Sequence, residues 1–420
     1  MIPGQRGTVE VGYGAGWDPR AAATVGPLST AEAASLDAAG EPYAVILKRP
    51  GRPHPEAVLH VAWSHHYLGI WRYDEHGRRW REHDLRRLDP EWLFLIHEQT
   101  WTYASPQTAE FAPEAGRTTL ELSPGKENAR WTEEKRGDRG SSSSTLTAVP
   151  SERRRPPVPA FGDWTMALEG PCVLTDAAPA APAPDTRRPW DPPAGLRPRH
   201  LDAMFTPGTV FTPQYDEAAP RTVEPSRTLG TLHLPSGRIV ACDPCAYELP
   251  QPLTVSVPPG DYVMDVASVS HPSGYEDMTF TMEETTAVRL LISQRPTVGW
   301  EMALTAGQDP RLLRERHFYG FDVDTATGCF TDAALARDSC RRFDRSFTET
   351  DPLVEHSQNG ALIATVRAQD GSAALIAFAL SGDGSYPVWI GRDAAGEVTC
   401  FVVDALELTR AELMTPAQGT

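Results

Sequence analysis

Hydrophobic and polar residues alternate with a period of two along most of the chain, which predicts strands separated by tight turns. The longest such region runs from Thr228 to Ala405. Its turns contain sequences typical of hairpins, such as Gln369-Asp370-Gly371. We predict strands there over 229–234, 238–242, 253–257, 261–269, 287–293, 298–304, 318–323, 362–367 and 374–380. A turn after about every 8–12 residues indicates a sandwich-like or strongly curved antiparallel sheet.

The first 173 residues show the same period and contain eight of the eleven tryptophans. Strands are predicted over 43–48, 57–64, 67–73, 79–85, 118–122 and 128–133, a strand or helix over 91–103, and a closing strand within 165–173. Residues 1–28 have no clear period and are expected to be irregular. The polar tract 133–157 cannot bury a core and is predicted to be a mobile loop.

Helix signals are few. Ser29-Thr30-Ala31-Glu32 is a capping-box pattern and Gly40 is a stop signal, which together predict a helix over 30–39. A second helix is predicted over 333–343, with Thr331 or Asp332 as its N-cap. The expected fold class is therefore mainly β (α+β), with two β-rich domains and one or two helices in the second.

The domain boundaries follow from composition. Residues 175–199 contain seven prolines, which is typical of a semi-rigid linker. We predict a Trp-rich β domain over 1–173, a Pro/Ala-rich linker and irregular segment over 174–227, an acidic β-rich domain over 228–408, and a tail over 409–420.

Charge is unevenly distributed between these parts. Residues 1–164 contain 20 Lys and Arg against 22 Asp and Glu, whereas residues 165–420 contain 19 against 34, a net charge of −15. Such an acidic domain would repel a phosphate backbone, so nucleic-acid binding is disfavoured. A solubilising surface explains the charge, and an acidic face for a basic protein partner is the sharper alternative.

No apolar run opens the sequence, so we expect no secretory signal. No stretch approaches the ~20 apolar residues of a membrane-spanning helix. The six cysteines are widely spaced, unlike a small disulfide scaffold. The expected location is a reducing cytoplasm, without membrane contact.

Cys242-Asp243-Pro244-Cys245 is the motif closest to known thiol chemistry. A dithiol redox site would need a helix N-terminus at the first cysteine, and the following prolines leave no room for that helix. A zinc site would need two more ligands, for which Cys329 and Cys340 are available, but their spacing is not that of a zinc knuckle. We therefore predict ordinary buried thiols, no metal and no cofactor.

Other chemistry-bearing residues have simpler explanations. Asp322, Asp324 and Asp332 surround one predicted turn. Asp322-x-Asp324 with Gly328 resembles an incomplete calcium loop, but turn capping is the simpler explanation. Asp383 also lies in a turn. Adjacent strand residues point to opposite faces, so His65 and His66 do not form a ligand pair. The aromatic residues of 67–80 are expected in a packed face, with a stacking site for a small ligand as the alternative.

Five stretches, taken together, resemble a known family. They are Leu234–Pro244, Pro258–Tyr262, Gly299–Glu301, the pair Gly320–Asp324 and Gly328–Asp332, and Gly382–Trp389. In this order they are similar to the bacterial family called domain of unknown function 4241, over about 228–406. Residues 1–200 lie outside the resemblance. The presence of 36 Arg but only three Lys suits a GC-rich, actinobacterial origin.

The resemblance implies no established activity, so it assigns no catalytic residue. The leading hypothesis is a binding protein that acts by protein–protein contact, similar to the acidic immunity proteins encoded beside bacterial toxins. The alternatives are a metal-dependent hydrolase that uses acids of the second domain, and a small-ligand module in the first. Candidate binding residues are Asp243, Trp300, Glu301, Asp322, Asp324, Asp332, Asp383 and Tyr386.

Overall fold

The structure, a computed structural model, describes residues 7–135, 140–177, 190–214, 219–248, 251–275, 278–358, 360–408 and 411–414. The chain splits into two compact units, Met1–Pro193 and Ala194–Thr420. Both units are mostly β, as predicted. Within the described residues, no helix is long and apolar enough to cross a membrane.

The first unit is an antiparallel meander. Each strand from β3 to β10 pairs with the next, β1 joins at β3, and β11 joins β1 in parallel. Its elements are β1 (Gly7–Asp18), β2 (Ala23–Leu28), α1 (Thr30–Ala39), β3 (Tyr43–Lys48), β4 (Ala57–Ala62), β5 (Tyr67–Tyr73), β6 (Arg79–Arg87), β7 (Leu93–Thr102), β8 (Gly116–Glu121), β9 (Asn128–Lys135), β10 (Ser141–Ala148), α2 (Ser151–Arg154) and β11 (Cys172–Asp176), with 3-10 turns at Trp63–His65 and Thr165–Ala167.

Helix α1 has the bounds that its capping box predicts. The Ser29 hydroxyl accepts from the backbone N–H of Glu32, and the Glu32 carboxylate accepts from the backbone N–H of Ser29. These bonds satisfy donors that the first helical turn leaves unpaired.

Two predictions for the first unit were wrong. Residues 7–28, expected to be irregular, form β1 and β2. The small residues along β1 obscure its alternation, although Val9, Val11 and Tyr13 all point into the core. The tract predicted as a mobile loop contains β10, which pairs with β9 through eight residues although its side chains are mostly exposed. Backbone hydrogen bonds, not burial, hold this hairpin. The charged residues 136–139 lie outside the described part.

The second unit contains a larger sheet, ordered β15-β20-β23-β14-β16-β17-β25-β24-β18, with shorter strands attached. Its elements are α3 (Leu201–Met204), β12 (Val210–Pro213), β13 (Arg221–Val223), β14 (Arg227–Leu234), β15 (Ile239–Cys242), β16 (Gly260–Tyr275), β17 (Met278–Leu291), β18 (Gly299–Met302), β19 (Gly320–Val323), β20 (Thr327–Asp332), α4 (Ala336–Arg345), β21 (Val354–His356), β22 (Leu362–Arg367), β23 (Ala373–Ala379), β24 (Gly384–Arg392), β25 (Val398–Asp404) and β26 (Ala411–Leu413), with a 3-10 turn at Pro310–Leu312.

This sheet curves around one core. Strands from β14 to β25 contribute alternate side chains to it, including Leu232, Met264, Phe330, Phe378 and Phe401. The intervening side chains point the other way, and on β15, β20 and β23 they form a second apolar layer beneath α4. The period of two thus places neighbouring residues of one strand in different cores.

Four details of the second unit differ from the predictions. In the predicted tail 409–420, Ala411–Leu413 form β26, which pairs with β12. Residues 201–223, assigned to an irregular segment, contain α3, β12 and β13, and Phe211 is fully buried there. Residues 253–257 form isolated bridges instead of a strand. Helix α4 begins at Ala336 with Leu335 as its N-cap, three residues later than predicted. The Asp332 carboxylate accepts from Ser236 in the β14–β15 turn and from the backbone N–H of Ala334 before the helix.

Gly237 in the β14–β15 turn provides a test of the fold. Its φ is +66°, and an added Cβ would lie 1.9 Å from the carbonyl oxygen of Val257. We expect Gly237→Ala to destabilise the second unit by about 3 kcal/mol or more, because left-handed strain adds to backbone displacement. Urea unfolding followed by circular dichroism measures the change.

Gly371→Ala is the matched control. Gly371 has a φ of +86° with open space around the added Cβ, so this variant should show the conformational cost alone, about 1 kcal/mol. Equal losses for the two variants would contradict the steric role of Gly237.

Candidate functional site

Three cysteine thiols from three separate elements meet inside the second unit. Cys242 on β15 lies directly opposite Cys329 on β20, and their sulfur atoms are 3.4 Å apart. Cys340, in the middle of α4, places its sulfur 4.0 Å from that of Cys242. All three sulfurs lie within 4.8 Å of one another, and within the described residues this is the one His/Cys/Asp/Glu group with such spacing.

The surroundings of this thiol cluster are apolar. Val240, Ala336, Phe343 and Leu375 pack around it, and none of the three thiols is more than 5 % exposed. Burial raises the pKa of Cys329 well above the usual thiol value, whereas hydrogen bonds from Cys242 and Cys329 lower the pKa of Cys340 to about 5. Burial and the contacts between the thiols thus shift the pKa values of Cys329 and Cys340 in opposite directions.

Cys245 lies at the edge of the cluster. It packs against the apolar layer and is partly exposed. Burial and the nearby carboxylate of Asp243 raise its pKa to about 12. The Cys-x-x-Cys motif thus contributes one fully buried thiol and one thiol close to the surface.

Asp243 connects this motif to the turn between β19 and β20. Its Oδ1 accepts from the backbone N–H of Cys245 at 2.8 Å. Its Oδ2 accepts from the backbone N–H groups of Asp324 and Thr325 at 2.9 and 3.1 Å, and from the Thr325 hydroxyl at 2.9 Å. Four donors on one buried carboxylate indicate an anchoring role.

Asp332 has a similar role at the other end of β20. It is fully buried and accepts from the backbone N–H and hydroxyl of Ser236 and from the backbone N–H of Ala334. It therefore fixes the β14–β15 turn against the start of the segment that leads into α4.

The other candidate residues lie along β24 and its neighbours. Asp322 is exposed and accepts from the Ser385 hydroxyl across the β19–β24 pair, and the Tyr386 hydroxyl donates to Gly382 at 2.8 Å. Asp324 and Asp383 are exposed near the same end of this pair. The remaining two lie on β18.

On β18, Glu301 forms an ion pair with Arg392, and the Trp300 indole donates to Asp202 at 3.5 Å. Asp243, Asp322 and Asp324 thus lie at or beside the turn that follows β15 and the turn between β19 and β20. Glu301 lies on another strand, β18, where it is paired with Arg392. This arrangement does not favour the shared carboxylate site that a metal-dependent hydrolase requires, and that alternative stays a prediction.

The hairpin β16–β17 forms a projecting arm on the second unit. Within the described residues, 271–275 and 278–282 pair with each other and with no further strand. Phe280 and Met282 point to one face of this arm and are 45 % and 43 % exposed. Sequence reasoning missed the arm, because its length depends on where the neighbouring strands end.

In the first unit, an open cleft of about 330 Å³ is lined by Trp101, Phe111, Arg79 and Arg117, among others. The rings of Trp101 and Phe111 lie 4.7 Å apart, and the Arg79 guanidinium lies over Phe111. This cleft is the feature that corresponds to the small-ligand alternative, which stays a prediction.

Two histidines of the first unit, His60 and His83, are part of its packing. His83 contacts the buried carboxylate of Glu98, and hydrogen bonds from His83 and Arg153 hold the pKa of Glu98 well below its usual range despite its burial. His60 is buried between Trp71 and Trp190, and neither of its ring nitrogens has a hydrogen-bond partner in the part of the chain that the structure describes. Burial lowers the pKa of His60 to about 3.

Sequence analysis considered Cys242, Cys245, Cys329 and Cys340 together as metal ligands and set them aside because of their spacing. The ten-residue interval between Cys329 and Cys340 is not that of a knuckle, but it suits a strand followed by a returning helix. The decisive pairing of β15 with β20 joins segments 87 residues apart, and nothing in the local sequence indicates it.

Comparison with known proteins gives one family. Residues 232–403 match the model of the family described as Protein of unknown function (DUF4241). This confirms the resemblance predicted from the motifs, which covers the second unit from β14 to β25. No curated protein and no solved structure matched the chain.

Asp243 and Asp383 provide a test of the anchoring role. Asp243→Ala should destabilise the second unit by about 3 kcal/mol, because it leaves buried backbone donors without an acceptor. Asp383→Ala, at an exposed turn position, should change stability by less than about 0.5 kcal/mol. Urea unfolding measures both, and a tolerated Asp243→Ala would refute the anchor.

His60 predicts a pH dependence for the first unit. As pH falls below the usual histidine pKa of 6.5, His60 becomes protonated in the unfolded chain. In the folded chain its imidazole stays neutral until about pH 3. Stability therefore falls across this window, by about 2 kcal/mol between pH 7 and pH 5. His60→Phe should remove this part of the slope, and the exposed-site variant His65→Phe should retain it. Thermal melts across pH measure the slopes, and identical slopes would contradict the buried neutral imidazole.

Proposed function

We propose that this protein acts by protein–protein contact and that its second unit binds a basic protein through the projecting arm. The more specific form of the proposal is an immunity or regulatory component of a bacterial toxin or conflict system. Its toxin or effector would then be the basic partner.

The arm is the observation that carries the proposal. An isolated two-stranded hairpin gains little stability in water, so a long arm that leaves Phe280 and Met282 exposed is not explained by folding. Ser273 and His271 lie directly opposite these residues, which gives the face an apolar centre with polar neighbours. This is the composition of a protein-binding surface.

Charge indicates the chemistry of the partner. Residues 194–420 contain 30 Asp and Glu against 17 Lys and Arg, a net charge of −13. Many of the arginines are already paired with acids of the same unit; these are Arg221, Arg227, Arg289, Arg295, Arg311, Arg342, Arg367 and Arg392. The acidic surplus therefore lies at the surface, where it attracts a basic partner and disfavours nucleic acid.

The test is a comparison of variants. The full chain and its Phe280→Ser/Met282→Ser variant are used as baits in native lysate, and captured proteins are quantified by mass spectrometry. We expect a basic protein to be depleted by about 10-fold or more with the double variant, because two exposed anchors are lost. The same protein should elute with rising salt.

Val298→Ser is the matched control, since Val298 is apolar and 67 % exposed but lies outside the arm. It should capture the partner as well as the wild type does. An identical capture profile for wild type and arm variant, with both folded by circular dichroism, would overturn the role of the arm. Loss of an acidic or neutral protein would overturn the basic partner.

A further inference from the structure

The buried thiol cluster is independent of the surface on which the proposed function rests. A cysteine in a protein core packs as a small apolar residue, so packing alone does not favour contact between several thiols. Here a strand, its neighbouring strand and a helix each direct one thiol to the same point. We propose that Cys242, Cys329 and Cys340 together bind one thiophilic metal ion, Zn²⁺ or Cu⁺, as thiolates.

The sulfur spacing suits such an ion. A Zn–S bond of ~2.3 Å in tetrahedral geometry places two sulfurs about 3.8 Å apart. The separations of 3.4 and 4.0 Å between Cys242 and its two neighbours lie on either side of this value. The third separation, between the sulfurs of Cys329 and Cys340, is at most 4.8 Å. Shifts of no more than about 1 Å would therefore bring the three sulfurs to the separations of a tetrahedral zinc site.

The support around the cluster is rigid. Cys242 and Cys329 are fixed by the β15–β20 ladder, and Cys340 is fixed by the packing of α4 through Phe343 and Ala336. Asp243 binds the backbone N–H of Cys245 and thereby holds the turn that follows Cys242. Ligands that are oriented in advance by such contacts bind a metal more tightly.

The donor set limits the chemical class of the ion. Three thiolates in an apolar layer suit zinc or monovalent copper and not the oxygen-seeking ions calcium and magnesium. The two ions differ in what they require beyond the three thiols. Zinc needs a fourth ligand, for which Cys245 lies at the edge of the same layer, whereas monovalent copper is satisfied by the three buried sulfurs.

The experiment uses the full chain, reduced and freed of metal without oxygen, and then loaded with Zn²⁺ or Cu⁺ alone. We expect one ion per chain by elemental analysis after gel filtration, together with a higher melting temperature, because an ion that binds the folded state stabilises it. Uptake should release protons from the thiols. Replacing zinc by Co²⁺ should give thiolate charge-transfer absorption.

Variants identify the ligands. Cys340→Ala should weaken binding by about 100-fold or more through loss of one thiolate. Cys400→Ala is the matched control, because Cys400 is also buried but belongs to a different apolar cluster, and it should bind like the wild type. If Cys340→Ala fails to fold, Cys340→Val, which keeps the site filled and apolar, takes its place. Cys245→Ala distinguishes the ions, since it should weaken zinc binding and leave copper binding unchanged.

Two outcomes would overturn the proposal. The first is a reduced wild-type chain that retains neither ion at one equivalent. The second is retention that is equal in the wild type and in the Cys340 variant, which would place the ion elsewhere.

Discussion

The pairing of β15 with β20 is the constraint on which the second unit depends. It joins two segments far apart in sequence and sets Ile239 opposite Asp332 and Cys242 opposite Cys329. Because a strand alternates its faces, one register places Phe330 in the curved core and Cys329 in the layer beneath α4. A slip by one residue would exchange these positions and leave the Asp332 carboxylate without the Ser236 donors.

Both ends of this strand pair are held by a buried carboxylate. Asp332 holds the β14–β15 turn and Asp243 holds the β19–β20 turn, each through backbone N–H groups. Both residues belong to the motifs that carry the family resemblance, as does Gly237. These parts of the motif therefore specify turns and register, which explains why the resemblance indicates a fold more directly than a reaction.

Local signals in the sequence predicted local structure well. The capping box of α1 and the hairpin at Gln369–Gly371 are complete within a few residues, so propensity and turn chemistry suffice. Strand β1 was missed because its glycines weaken the alternation, and β10 was missed because its pairing does not depend on burial.

The thiol cluster and the arm could not be predicted from local sequence signals. The thiol cluster depends on a register between distant strands, and the arm depends on where β13 and β25 stop pairing. Neither the strand register nor the ends of the neighbouring strands can be predicted from the short segments that contain the cysteines or the arm. The acidic surplus, in contrast, is a property of composition and needed no structure.

Electrostatics bears on which ion suits the thiol cluster. Three thiolates around Cu⁺ would carry a charge of −2 in an apolar layer, and three around Zn²⁺ a charge of −1. Since burial penalises net charge, the divalent ion is the better match for the fully buried sulfurs. A fourth thiolate from Cys245 would add charge near the surface, where Cys245 is partly exposed and solvent lowers the penalty. With this fourth thiolate, the zinc site would carry the same total charge of −2 as three thiolates around Cu⁺, but part of that charge would lie near the surface. The different burial of the two cysteines in Cys242-Asp243-Pro244-Cys245 would therefore favour zinc over copper.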